Sequence, residues 1–296
     1  MLLAIFMFSA AVQSATALPR VDAVAIVVRD IGAERRFYTR AFGFTDVGSR
    51  SLPGVRIDRL ALGHERLELV RYDRAGKPIP RGAHSNDRDF QHVAIIVSDM
   101  QRAWERVASA GIEPVSRAPQ VLPTSNPAAG GIAAVYFRDP EGHPLELLHF
   151  PPGKGAPQWH ATAPLFLGID HTAIAVADSA ASTRFYEALG FAVRGHSDNY
   201  GIEQARLSGV PGAHVHIEAL RFGGAPGVEF LEYVQPASHQ PKEDARPFDA
   251  IATRTVVIEP SATAACGRFA GAIPEPGGCL LRDPDGHYVE VRSNPS

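Results

Sequence analysis

The sequence lacks the features that mark several special classes of protein. It has only two cysteines and no CxxC pair, which excludes a cysteine-rich zinc module. No run of basic residues occurs, and a formal net charge of −3 offers no surface for nucleic acid or anionic membranes. No stretch reaches about 18 uninterrupted apolar residues, so a transmembrane helix is not expected. GxSxG, Walker and dinucleotide-binding motifs are also missing, and with 45% hydrophobic and 21% charged residues we expect an ordinary globular protein.

The first 17 residues are predicted to be a signal peptide, separate from the fold. An apolar run from Leu2 to Phe8 precedes the small-residue sequence ATA at 15–17, which is typical of a cleavage site. No Lys or Arg precedes this run, which departs from the usual signal. We expect a periplasmic or secreted protein, with a cytoplasmic one as the alternative. The two cysteines are either a disulfide, if the chain is exported, or two buried thiols.

The remaining chain is a repeat. RFYTRAFGF begins at residue 36 and returns as RFYEALGF, and RDPEGHPLEL begins at residue 138 and returns as RDPDGHYVEV. The two motifs return after 148 and 144 residues, respectively. Two spacings so similar indicate a duplicated unit with a small change in length. We therefore predict two domains, residues 18–150 and 168–296, joined by a linker rich in Pro and Gly at 151–167.

Each half divides again into two modules. Four short apolar segments rich in β-branched residues each lead into a helix start, and further strand candidates follow each helix. The modules, numbered one to four, span 21–72, 90–150, 168–235 and 250–293. The predicted helix N-caps are Asp30, Asp99 (or Ser98), Asp178 and Ser261, and the predicted helix ends are Gly43, Gly111, Gly190 and Gly271. The fold class is thus α+β, with four βαβββ modules.

Two positions recur in all four modules. The first strand starts with Ala23, His92, His171 and Arg254, and the last strand carries Glu68, Glu146, Glu229 and Glu290. Each of these glutamates lies between apolar residues, and a carboxylate in such a strand costs free energy unless it is paired or binds a metal. Four carboxylates at equivalent positions indicate an inherited site.

The strand-start histidines, the FY…GF helix and the DP(D/E)GHxxE strand together resemble the vicinal oxygen chelate superfamily of glyoxalase-, dioxygenase- and bleomycin-resistance-like proteins. The resemblance covers residues 20–293. It implies paired modules that curl into two half-open, barrel-like domains around a divalent metal, whose ligands are strand-start His and last-strand Glu. Two imidazoles with two carboxylates suit Zn²⁺, Ni²⁺, Fe²⁺ or Mn²⁺. By the same resemblance Glu146 is the expected catalytic base.

The carried-over ligands depend on which modules pair. If the modules pair in sequence, one site holds Glu68, His92 and Glu146, and the other holds His171, Glu229 and Glu290. If module two pairs with module three, His92, Glu146, His171 and Glu229 make one complete set, and Arg254 neutralises a carboxylate in the other pair. Ala23 and Arg254 depart from the family pattern, since neither binds a cation.

The resemblance implies three possible functions. The first is a metal-dependent lyase or isomerase of glyoxalase type, which holds two vicinal oxygens of a small substrate; the others are a ring-cleaving extradiol dioxygenase and a non-enzymatic binding or resistance protein. Arg254 in place of a second histidine of the C-terminal half weakens the dioxygenase interpretation. Candidate substrate contacts are Tyr200 and Arg206, in the polar segment 196–206, together with Arg254. A homodimer is left open.

Overall fold

In the computed structural model of this protein, residues 19–224, 226–239 and 244–294 are described. The predicted signal peptide lies outside these residues. Within them, the chain consists of the four expected modules in order, which gives the mixed α+β fold predicted from sequence. No helix in the described part of the chain has the length and apolar character needed to cross a membrane.

The helices and strands of the first half are β1 (Arg20–Val27), α1 (Ile31–Phe42), β2 (Thr45–Leu52), β3 (Val55–Leu62), β4 (Glu65–Tyr72), β5 (Gln91–Val97), α2 (Met100–Ala108), β6 (Glu113–Pro114), β7 (Gln120–Val121), β8 (Ala133–Arg138) and β9 (Pro144–His149). A short 3₁₀ turn, Pro157–His160, follows. Those of the second half are β10 (Phe166–Val176), α3 (Ser179–Leu189), β11 (Ala192–Asn199), α4 (Ile202–Ser208), β12 (His214–Arg221), β13 (Gly227–Gln235), β14 (Arg254–Glu259), α5 (Ala262–Cys266), β15 (Ile273–Glu275), β16 (Gly278–Arg282) and β17 (Tyr288–Ser293).

Local capping chemistry sets the helix starts. The N-caps of α1, α2, α3 and α5 each accept a hydrogen bond from the backbone N–H three residues later, and they are Asp30, Asp99, Asp178 and Ser261. Gly43 and Gly190 end α1 and α3 with φ of 80° and 101°, values that favour glycine. The predicted ends at Gly111 and Gly271 are wrong, because α2 and α5 already stop at Ala108 and Cys266.

The sheets pair the modules crosswise. Modules two and three form a nine-stranded sheet in the order β11-β12-β13-β10-β5-β9-β8-β6, with β7 beside β8. Modules one and four form an eight-stranded sheet in the order β15-β16-β17-β14-β1-β4-β3-β2. We call these the histidine sheet and the arginine sheet, after His92 and His171 in the first and Arg254 and Arg292 in the second. Sequential pairing of modules within a sheet is therefore wrong, and the pairing of two with three is confirmed.

Within each half of the chain, the two modules also pack against each other through a hydrophobic cluster. One hydrophobic cluster joins Tyr38 and Phe42 of module one to Phe137 of module two, and another joins modules three and four around Tyr186. In addition, the hydroxyl of Tyr38 donates to Asp139 Oδ2 at 2.9 Å, which links the FY motif of one module to the RDP motif of the next. The side chains of a strand point alternately to the two faces of its sheet. Hydrogen bonding within the sheets joins module two to three and one to four, whereas the side chains on the helix-covered faces join module one to two and three to four.

The cysteines form a disulfide. Cys266, the last residue of α5, is bonded to Cys279 of β16, with 6.2 Å between their Cα atoms. Module four has the shortest helix among the four module-opening helices, five residues long. The disulfide ties this short helix to the sheet that it covers. Of the two alternatives left open by the sequence, a disulfide or two buried thiols, the structure has the disulfide.

Candidate functional site

Four side chains converge because two central strands of the histidine sheet lie antiparallel. On β5 and β10, His92 lies opposite Ala173, two residues beyond His171. On the flanks, Glu146 of β9 pairs in register with Ala94, and Glu229 of β13 pairs with Ala173. The pairing of modules two and three therefore brings two strand-start histidines and two last-strand glutamates together.

The functional atoms of these residues are within a few ångströms of one another. His92 Nε2 lies 3.1 Å from Glu146 Oε2, and His171 Nε2 lies 3.5 Å from the same oxygen. Glu229 Oε2 is 3.4 Å from His171 Nε2. Potential ligand atoms of His92, Glu146 and His171 all lie within 4.8 Å of each other. Glu146 thus sits between the two imidazoles, whereas Glu229 approaches only one of them.

Asp170 orients the second histidine. A β-bulge between Ile169 and His171 places Asp170 opposite no residue of β5, and its Oδ2 lies 3.0 Å from His171 Nδ1. Because a carboxylate only accepts hydrogen bonds, Nδ1 carries the proton and Nε2 is directed to the glutamates. Trp159 Nε1 and Arg221 Nη2 donate to the same carboxylate at 2.8 and 2.9 Å.

Sequence reasoning missed these three supporting residues. Trp159 lies in the segment interpreted as a linker, and no sequence motif distinguishes Arg221 from the other arginines of the chain. Asp170 had a usable signal, since an acidic residue directly before a candidate ligand often orients its ring. The bulge that lets neighbouring residues interact leaves no mark in the sequence pattern.

The cluster carries an excess of negative charge. Burial alone lowers the pKa of His171, but the charges of Glu229 and Asp170 and the hydrogen bonds of the carboxylates outweigh it and raise the pKa to about 10. Burial likewise raises the pKa of Glu146, yet its hydrogen bonds and charge interactions with both histidines hold the pKa below its usual value. For Glu229 burial dominates, and the pKa is raised. The surroundings of the His171 imidazole therefore favour a positive charge.

These residues fit a divalent cation. Both ring nitrogens of His92 are buried; Nδ1 has no hydrogen-bond partner among the described residues, and Nε2 has only its contact with Glu146 Oε2 at 3.1 Å, an arrangement that is costly unless another species satisfies the ring. Two imidazoles and two carboxylates are the donors that zinc, nickel, iron and manganese accept. The incompletely satisfied ring of His92 and the donor set point to the same class of ion.

A cavity of about 250 Å³ opens above the cluster. The four residues line it together with mostly apolar side chains, among them Tyr136, Leu148, Phe150, Leu207 and Leu231. Gln204 of α4 also lines it; this side chain is buried, and its Oε1 has no partner among the described residues. The segment 196–206 was interpreted as polar, and it contains the start of this unpredicted helix.

The three candidate substrate residues are placed differently. Tyr200 is 63% exposed and lines an outer depression that shares Asn199 and Ser197 with the cavity. Arg206 is exposed on α4 and is not among the residues that line the cavity. Arg254 does not line the cavity; it lies in the arginine sheet and donates to Glu290, as expected if module two pairs with module three. Only Tyr200 lies near the mouth of the cavity.

Arginines surround the equivalent position of the arginine sheet. Glu68 accepts from Arg292 at 2.8 and 2.9 Å and from Arg59 at 2.7 Å. Burial of Glu68 opposes its charge, but the hydrogen bonds and charges of these arginines hold its pKa below the usual value. Glu290 accepts from Arg292 at 2.6 Å and from Arg254 at 3.3 Å. Guanidinium groups thus fill the place where Glu68 and Glu290 were candidate metal ligands under sequential pairing.

Comparisons with known proteins agree with the fold and the repeat. No curated protein matches the chain. Glyoxalase I from Zea mays is 19% identical over 92% of each chain, with a TM-score of 0.60, and a mutant of the same enzyme gives 0.61 at the same identity and coverage. A putative dioxygenase from Bacillus subtilis subsp. subtilis str. 168 is 12% identical over 94% of this chain and 86% of its own, with a TM-score of 0.59. These identities show a shared fold.

The family is shown by a sequence profile that matches both halves of the chain. The profile of the glyoxalase/bleomycin resistance protein/dioxygenase superfamily covers residues 20–147 and again 168–291. The two matches coincide with the duplicated halves and include the four residues of the histidine-sheet site. The chain belongs to the glyoxalase/bleomycin resistance protein/dioxygenase superfamily.

Proposed function

We propose that the protein is a metal-dependent lyase or isomerase that acts on a small substrate with two vicinal oxygens. The observation that carries this proposal is the convergence of His92, Glu146, His171 and Glu229 at one cavity. A purely structural cluster would satisfy its own polar groups, whereas Nδ1 of His92 is buried without a partner among the described residues, and its Nε2 shares one oxygen of Glu146 with His171.

The four residues would hold one divalent cation. When bound there, the cation supplies Lewis-acid polarisation of the substrate oxygens. Asp170 contributes by fixing the His171 ring through its 3.0 Å contact with Nδ1, and Trp159 and Arg221 fix Asp170 in turn. Such support keeps the imidazole in position during turnover.

The two glutamates are proposed to have different roles. The resemblance to the family assigns the base to Glu146, but Glu146 contacts both histidines and only 6% of its side chain is exposed. Glu229 contacts one histidine, and 20% of its side chain is exposed. Because a proton-shuttling group must reach the substrate, we assign the proton transfer to Glu229 and a fixed ligand role to Glu146.

The cavity favours an uncharged and largely apolar substrate. Among the residues that the structure describes, no Lys or Arg lines the cavity, so an anionic substrate would lack a counter-charge there. Gln204 Oε1 offers one acceptor to a hydroxyl or amide donor of the substrate. Tyr200 is proposed as a contact at the mouth, where it lines the adjoining depression.

An extradiol-type dioxygenase is the second candidate. His92, His171 and Glu146 form a cluster of two histidines and one carboxylate, which is the ligand set of non-haem iron oxygenases. Arg254 no longer weakens this interpretation, because it lies in the other sheet. The non-enzymatic alternative predicts tight ligand retention without turnover.

The proposed roles are tested by Glu229→Gln and Glu146→Gln. The assay follows deuterium exchange at the carbon next to the carbonyl of an uncharged α-hydroxyketone, 2-hydroxyacetophenone, in D₂O with Zn²⁺, Ni²⁺ or Mn²⁺. Glu229→Gln is expected to keep the metal and lose exchange by about 10²–10⁴-fold, as expected for removal of a general base. Glu146→Gln is expected to lose both metal and exchange.

Other outcomes separate the alternatives. If Glu146→Gln keeps the metal and loses exchange, the base is Glu146. If the wild type gives no exchange with any of the three metals, the lyase proposal fails. Oxygen uptake with Fe²⁺ and catechol would then favour the dioxygenase, and binding without either reaction would favour a binding protein.

We also propose that the protein is exported. The disulfide between Cys266 and Cys279 supports this, because disulfides persist mainly in oxidising compartments. A homodimer stays a prediction.

A further inference from the structure

A second group of metal-binding side chains lies at the surface, outside the cavity. His84 and Asp87 are in the segment that leads into β5, and His239 follows β13. The two segments are more than 150 residues apart in sequence and meet at the ends of strands that belong to the same sheet. Nothing in the proposed chemistry of the cavity uses these residues.

The geometry of this group is close to that of the cavity site. Potential ligand atoms of the three side chains all lie within 4.8 Å of one another. His239 Nδ1 is 3.0 Å from Asp87 Oδ1, and the rings of His84 and His239 have centroids 6.2 Å apart. The corresponding ring distance between His92 and His171 is 5.6 Å.

Backbone hydrogen bonds fix the spacing. The N–H of His239 donates to Asn86 O at 2.8 Å, and the N–H of Arg88 donates to His239 O at 3.0 Å. The N–H of His84 donates to Asp87 Oδ2 at 2.6 Å, which holds the carboxylate while Oδ1 faces His239. The side chains are therefore held near one another before any ligand binds, which lowers the entropic cost of binding.

Charge and access also suit a cation. Among the described residues, Asp87 forms an ion pair with no Lys or Arg, and its side chain is 21% exposed. The His239 side chain is 58% exposed, and His84 is exposed as well. A metal ion would keep part of its water shell here, so it would not bear the desolvation cost of a buried site.

We propose that His84, Asp87 and His239 form a second divalent-metal site, of zinc class, that joins the entry to β5 to the exit from β13. Imidazole and carboxylate ligands at roughly 2.0–2.2 Å leave at least one position for water, as in three-residue zinc sites. The bound ion clips together the two modules that form the histidine sheet. It acts independently of the cavity.

The test counts zinc ions in metal-stripped full-length protein by isothermal titration. The wild type is expected to bind two Zn²⁺ per chain, and His84→Ala and His239→Ala are expected to bind one. His64→Ala, which removes an exposed histidine elsewhere, is the matched control and is expected to bind two. In the wild type and the control, saturating the surface site is expected to add roughly 5 °C to Tm, and the two variants lose this increment.

A second background separates this site from the cavity. In a His92→Ala/His171→Ala double variant, one Zn²⁺ is expected to remain, and adding His84→Ala is expected to remove it. If the double variant binds no zinc while circular dichroism shows it folded, the proposal is overturned. Equal zinc stoichiometry in the wild type, His84→Ala and His239→Ala would overturn it as well, whether or not the cavity site binds zinc.

Discussion

The histidine sheet and the arginine sheet are built from the same module, yet only the histidine sheet presents a cluster that could hold a metal, among the residues that the structure describes. Both keep two glutamates at equivalent places in their last strands. Around those glutamates the residue types change. At the strand starts, Arg254 stands where the histidine sheet has His92, and Ala23 where it has His171. Beside the glutamates, Arg292 stands where the histidine sheet has Leu148, and Arg59 where it has Ala219.

The difference shows that a carboxylate that recurs at the same position in every module does not by itself define a metal site. Glu68 and Glu290 are already neutralised by guanidinium groups that belong to the protein. Among the described residues, the ion pairs of Glu146 and Glu229 are formed with imidazoles, which give up a proton to a metal. Guanidinium cations of the protein itself thus neutralise the glutamates of the arginine sheet, whereas the glutamates of the histidine sheet are left as donors for the proposed metal ion.

The largest expected effect is the loss of metal from the histidine sheet. His92→Ala and His171→Ala should each remove the same tightly held ion, because both residues are proposed ligands of one site. Elemental analysis after gel filtration measures this directly. In a His84→Ala background, which removes the proposed surface site, we expect about one tightly held ion and a loss of at least tenfold when either cavity histidine is also replaced.

His149→Ala is the matched control for this comparison. His149 is a half-buried histidine of the same sheet whose Nδ1 lies 2.9 Å from Val97 O, outside the cavity. Its substitution should leave the tightly held ion in place. If only one of the two cavity variants loses metal, the ion is not shared between modules two and three.

The next effect concerns stability. Arg292→Leu copies the residue that the histidine sheet has at this position, Leu148, and leaves Glu68 and Glu290 with fewer cations. Removing one partner of a buried ion pair typically costs about 3–5 kcal/mol, because the other charge is left uncompensated. Equilibrium urea denaturation should show a loss of this size without a change in metal content.

Neutralising the glutamates gives the control for Arg292→Leu. Adding Glu68→Gln and Glu290→Gln should restore part of the lost free energy of unfolding, since no uncompensated carboxylate then remains. A loss below about 1 kcal/mol for Arg292→Leu would mean that the remaining arginines suffice. The arginine sheet would then not depend on this ion-pair network.

Sequence alone predicted what local chemistry determines. The four N-caps follow from a side-chain oxygen and a backbone N–H three residues away, and the equivalent His and Glu positions follow from the repeat. The pairing of modules was left between two alternatives. A strand's pattern reveals which face it buries and not which distant strand lies beside it.

The parts of the site that sequence did not reveal depend on such distant contacts. Asp170 reaches His171 through a bulge, Trp159 folds back from the inter-domain segment, and Gln204 lies on a short helix that has no apolar stripe of its own. Each of these residues gains its role from what packs against it. Only Asp170, next to a candidate ligand, had a signal that a stricter search would find.

The smallest expected effect extends the comparison to the helices. Glu34 of α1 is fully buried, and both of its carboxylate oxygens lack partners among the described residues; Ser182 takes its place on α3. Burial, aided by the charge of Asp139, raises the pKa of Glu34 from 4.5 to about 9. The folded state therefore keeps a proton that the unfolded chain releases, and stability falls as pH rises from about 4.5 through about 9.

Glu34→Gln removes this contribution without changing the shape of the side chain. We expect the variant to gain about 1–2 kcal/mol over the wild type at about pH 5.5 and almost nothing at about pH 4, measured by urea denaturation across that range. Burial alone lowers the pKa of His143, but Asp139 outweighs it and raises the pKa to about 9. Deprotonation of His143 therefore still lowers the stability of the variant as pH rises toward 9. Ser182→Ala should shift stability equally at every pH, because it removes no titrating group. Identical pH slopes for the wild type and Glu34→Gln would show that the Glu34 carboxyl ionises normally, and the two helices would then not differ in this respect.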